Sequence, residues 1–179
     1  MTRLPRLAPC VMGAFLATVA ASAVRADDTR PADVACNASG ADYALLPDPR
    51  YRIVLEPADA PNTASDLQLR LRTPRGEHVF AFALSNGYAT IHLLEVVDED
   101  PGDDQDDPDA PPPPAFHAFD AAMNARIDPP QSDTPAPAWL FVPELGPMLW
   151  YGLLHGAAGA APEPESMPAG LFRRVACTP

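Results

Sequence analysis

Apolar and polar positions alternate through much of the chain between Tyr43 and Val97. Tyr51, Ile53 and Leu55 alternate with Arg52, Val54 and Glu56. Leu67, Leu69 and Leu71 alternate with Gln68, Arg70 and Arg72. Phe80, Phe82 and Leu84 alternate with Val79, Ala81 and Ala83. A period of two places every second side chain on one face of a pleated strand, so these runs predict half-buried strands. A helix would spread leucines at i, i+2 and i+4 around its axis instead of gathering them on one stripe.

The intervening turns predict how the strands pair. Asn86-Gly87 suits a two-residue type I′ hairpin loop, which needs positive φ at both positions. That loop pairs Ser85 with Tyr88 and sets Leu84 opposite Ala89, Phe82 opposite Ile91, Phe80 opposite Leu93 and His78 opposite Glu95. Around Pro74-Arg75-Gly76, a three-residue loop would put Arg70 opposite Phe80. A four-residue loop, Pro74 to Glu77, puts Leu71 opposite Phe80 and Leu69 opposite Phe82. A one-residue slip turns every side chain over, so the apolar pattern selects the four-residue loop. The prediction is a three-strand meander, extended to four by residues 51–56.

Residues 98–114 break the pattern. Eight of the 24 acidic residues fall between Asp98 and Asp109, and four prolines follow at 111–114. No apolar side chain larger than Ala or Pro is available for packing, which predicts a solvated, disordered loop. Beyond it, Phe116, Phe119, Met123 and Ile127 recur at near-helical spacing, although Phe116-His117-Ala118 could equally start a strand. Trp139 to Val142 reads as a strand ended by Pro143, and Glu144 to Pro147 as a turn. Patterned structure continues from Met148 through Leu154, and Leu171 to Val175 leads into Cys177. Gly156 to Gly170 is an Ala/Gly/Pro-rich loop. About seven short strands separated by turn signals predict an all-β fold with room for one short helix. Its expected form is an antiparallel β-sandwich or a partly open barrel, built around the β-meander.

The N-terminus changes the domain count. Arg3 and Arg6 precede an apolar stretch from Ala8 to Ala23, followed by the small-x-small sequences Ala21-Ser22-Ala23 and Val24-Arg25-Ala26. This is the make-up of a secretory signal peptide over residues 1–26, cleaved after Ala26, where the chain turns acidic at Asp27-Asp28. The stretch is short for a membrane span and holds Pro9; Cys10 precedes most of it, which does not suit a lipoprotein signal. Residues 27–179 then form a single β-rich domain with a short polar lead-in over 27–35. Cleavage removes Cys10 and leaves Cys36 and Cys177, near the two ends of an exported chain, as a natural disulfide pair. Closing a loop of about 140 residues contributes roughly 5 kcal/mol in the chain-entropy model.

Charge narrows the partners. The 179-residue chain carries −12 and has no Lys; losing a leader with three Arg and no acid takes it to −15. That sign argues against nucleic acid and against an anionic membrane surface, and no stable membrane insertion is expected after cleavage. The acidic run has the wrong spacing for a helix-loop-helix calcium site: counted from Asp98, Gly102 falls at the fifth place and Asp103 where the turn glycine belongs. His78, His92, His117 and His155 show no metal-ligand spacing, so neither metal nor cofactor is expected. Ser39, Ser65, Ser85, Ser132 and Ser166 lie in no nucleophile elbow, and Gly156 to Gly159 lacks the Lys of a phosphate loop. Asn37-Ala38-Ser39 matches a glycosylation acceptor, but the lack of Lys beside abundant Arg, Ala and Pro points to a GC-rich bacterial genome, where the match is idle. No catalytic residues stand out.

Trp139, Trp150 and Tyr151 are the candidate binding surface, weighed against the plainer expectation that they pack in the core. The expected function is a small exported bacterial binding or interaction module, periplasmic or secreted, whose partner is a protein or a small ligand. The alternatives are a small secreted hydrolase using carboxylates that no spacing singles out, and a structural component of the cell envelope.

Overall fold

The structure, a computed structural model, describes residues 36–62, 64–85, 90–97, 111–155 and 163–177. The expected leader and polar lead-in, the expected Asn86-Gly87 turn, residues 98–110 and the Gly156–Gly159 segment lie outside the described residues.

Among the described residues, nine strands and one helix follow in chain order: β1 (Ala41–Leu45), β2 (Arg52–Pro57), β3 (Leu67–Arg72), β4 (Glu77–Leu84), β5 (Ile91–Glu95), β6 (Ala115–Phe119), β7 (Ala125–Arg126), β8 (Trp139–Phe141), α1 (Leu145–Trp150) and β9 (Phe172–Cys177). All pairings are antiparallel. β1 pairs with β9, β5 with β6, and β6 with β8, so eight strands close into one barrel, while the short β7 pairs only with the end of β6. The expected β-sandwich is therefore corrected, and so is the partly open barrel. The sheet wraps fully round, which leaves the eight barrel strands no open edge and only the short β7 with one.

The interior of an eight-stranded barrel is just wide enough for side chains to fill. Here it is filled by the inward-facing set that the alternation picked out, except Leu84, which ends β4 and is 50% exposed. Ile53 and Leu55, Leu67, Leu69 and Leu71, Phe80 and Phe82, and Leu93 are all within 1% of complete burial. Tyr43, Leu45, Phe116, Leu140 and Phe172 complete it. Phe82 meets Phe116 edge to face, with ring centroids 5.1 Å apart. Outward positions on β2 to β4 carry an ion-pair ladder in which Arg70 joins Glu56 and Glu77, and Arg72 joins Glu77.

Both predicted registers move by two residues. Thr73 N–H donates to Gly76 O at 2.8 Å, leaving a two-residue loop, Pro74-Arg75, and setting Leu69 opposite Phe80 and Leu71 opposite His78. Ser85 pairs with Thr90 across four residues, not two, and Phe82 faces Leu93. A slip of two preserves the face of every side chain, which is why the apolar pattern could not detect it. Of the two readings open for residues 116–127, the strand holds, and one further expectation, at 145–150, is corrected. Residues 116–127 hold β6 and β7 and no helix; Asp120 closes their turn by accepting from the Ala122 and Asn124 N–H groups, and Met123 takes a positive φ of 65°. The chain at 145–150, read as a turn and the start of a strand, is the helix.

At one end of the barrel, Cys36 and Cys177 are joined by a disulfide, with Cα atoms 6.2 Å apart. The proline-rich segment 134–138 crosses this end. Its carbonyls at Ala136 and Pro137 accept from Arg174 and from the Tyr43 hydroxyl, and Ala136 N–H donates to Cys36 O. Burial pushes the Tyr43 phenol well above its ordinary range. α1 covers the other end, where β4 begins and β5 stops.

Candidate functional site: the helix-capped end of the barrel

α1 is short and has no side-chain N-cap, so packing holds it in place more than propensity does. Leu145 and Leu149, four apart on one face, are buried against the barrel. Pro147 is tolerated because it sits in the first turn. The helix stops at Gly152 with φ 63°, where Leu153 N–H donates to Met148 O and Gly152 N–H to Leu149 O, the paired bonds of a Schellman motif. Leu154, just beyond, is 1% exposed and fastens the outgoing chain.

A second segment, 163–170, lies along α1. Glu165 N–H donates to Leu149 O, the Tyr51 hydroxyl donates to Ser166 O at 2.8 Å, and the Thr73 hydroxyl donates to Glu165 Oε2 at 2.7 Å. Burial, together with the Glu165 carboxylate, pushes the Tyr51 phenol up to about 12. Gly146 permits the close approach of the two segments, since a Cβ there would stand 3.1 Å from Met167 O.

Between α1, the end of β8 and this segment lies a groove of about 370 Å³. Phe141, Pro143, Trp150, Tyr151 and Met167 line it, and among the described residues no Asp, Glu, Arg or His does. Trp150 is 54% exposed and Tyr151 72% exposed. The expectation that these two pack in the core is thus corrected: they follow Leu149, and the helical turn that buries Leu145 and Leu149 carries them outward. Trp139 does not join them. It lies two residues before Phe141 on β8, does not line the groove, and the buried indole N–H of its half-buried side chain has no hydrogen-bond partner among the described residues. Met167 carries no sequence signal, because it lies in no run with the aromatic pair, whereas Phe141 reads from the sequence as part of the Trp139–Val142 strand close to Trp150.

On the other side of α1, a larger cavity of about 650 Å³ is lined by Leu94, Glu95, Pro113, Met148, Leu153 and His155, among others. Glu95 Oε1 lies 3.0 Å from His78 Nδ1. Its Oε2 accepts the backbone N–H of His155 at 2.9 Å and lies 3.5 Å from that ring's Nδ1. The expected His78–Glu95 pair forms, but across a diagonal, because Phe80 is the residue opposite Glu95. His155 is added by tertiary structure alone, 60 residues along the chain. His78 is 4% exposed and does not line the cavity. Among the described residues, no group of three His, Cys, Asp or Glu could hold a metal ion. Nor is any described helix long and apolar enough to cross a membrane.

Compared with known proteins, the chain matches no family model, no curated protein and no solved structure.

Proposed function

We propose that this chain is a small exported bacterial protein that acts as a binding or interaction module, in the periplasm or outside the cell, and that the uncharged groove beside α1 is its contact surface. One observation carries the reading: Trp150 and Tyr151 stand exposed at the rim of a groove that has no charged lining among the described residues, on a barrel whose interior is filled by its own side chains. Exposed adjacent aromatics offer large contact area at small conformational-entropy cost, which is what an interaction site needs. Export is supported by the leader sequence, with cleavage after Ala26, and by a disulfide of the kind that persists in oxidising compartments. The partner is a protein or a small ligand, not nucleic acid.

The test compares the mature protein with a Trp150→Ala/Tyr151→Ala variant as baits for a periplasmic extract, followed by titration of each captured component against both. Because both side chains are largely exposed, the variant should fold with a stability change of about 1 kcal/mol or less. A component that binds the mature protein and loses at least tenfold in affinity for the variant supports the reading. Equal capture by both baits refutes the groove as the contact surface. A second reading, a small secreted hydrolase, draws on Glu95 beside the larger cavity. In that case Glu95→Gln should abolish turnover of the substrate while the Trp150/Tyr151 variant keeps it.

A further inference from the structure

No further inference is drawn: the strongest candidate, the cavity beside α1 lined by Glu95 and His155, carries nothing beyond the reading above because nothing in the structure shows what covers it.

Discussion

Phe82→Ala tests the barrel interior most directly. Phe82 is fully buried on β4, faces Leu93 on β5, and meets the Phe116 ring edge to face at 5.1 Å. Truncation to Ala removes roughly 100 Å² of apolar surface from burial, or about 2.5 kcal/mol. The lost aromatic pair adds about 0.5–1.5 kcal/mol. The total of about 3–4 kcal/mol falls within the range of roughly 3–5 kcal/mol for truncated core aromatics. The control is Arg70→Ala on the neighbouring strand. Arg70 points outward and joins Glu56 and Glu77, with its side chain 23% exposed. Partial exposure screens those pairs, so the expected cost is about 1 kcal/mol. Urea unfolding followed by tryptophan fluorescence would report both. Should Arg70→Ala prove the more damaging, β3 and β4 would be turned over and the interior would not be the set described. Equal losses would mean that the interior is too loose to distinguish a filled position from an outer one.

Breaking the disulfide with Cys36→Ser/Cys177→Ser, partners separated by 141 residues, should cost about 5 kcal/mol in the chain-entropy model; a loss under about 1 kcal/mol would show that the β1–β9 pairing already holds the ends together without it. Replacing residues 98–110 by a short Gly/Ser linker should lower Tm by less than about 4 °C in calorimetry, and a fall beyond about 8 °C would show that the tract is integral. Tyr51, raised to about 12, should contribute stability that is complete below the ordinary tyrosine value and lost as pH climbs through the folded value. Alkaline unfolding of Tyr51→Phe should accordingly be shallower above pH ~10 than that of the parent chain, and identical slopes would contradict this. Burial alone would raise Glu56, but hydrogen bonds from Arg70 and Gln68 hold it below the ordinary carboxylate range. Its contribution is present above the ordinary Glu value and lost as pH falls through the folded one, so the Arg70→Ala deficit should shrink below pH ~4. A deficit constant from pH 7 to 3 would dissociate Arg70 from Glu56.

Which side chains of β2, β3 and most of β4 line the barrel was decided by the sequence alone, the exposed Leu84 at the end of β4 excepted. Along Tyr51–Glu56, Leu67–Arg72 and Val79–Leu84, side-chain direction follows from a backbone whose period is two, and apolar side chains leave water wherever the fold allows. The pairing of Cys36 with Cys177 was legible for a related reason: once the leader is set aside, no other cysteine remains. The register was not legible, because a slip of two keeps every face and its energy differs only through contacts with particular neighbours. Nor was closure, since the β1–β9 and β5–β6 pairings join segments far apart in the chain and leave no local trace. The helix at Leu145–Trp150 was hidden because six residues lack the propensity to form one unaided; the barrel mouth that receives Leu145 and Leu149 stabilises it. Trp150 and Tyr151 became surface residues through that same choice. As part of a strand they would have pointed to opposite faces, one in and one out, and only the helix turns both outward beside Phe141 and Met167. The groove is therefore a product of tertiary packing, assembled from β8, α1 and the 163–170 segment, whose proximity depends on the closed barrel and not on their own sequences.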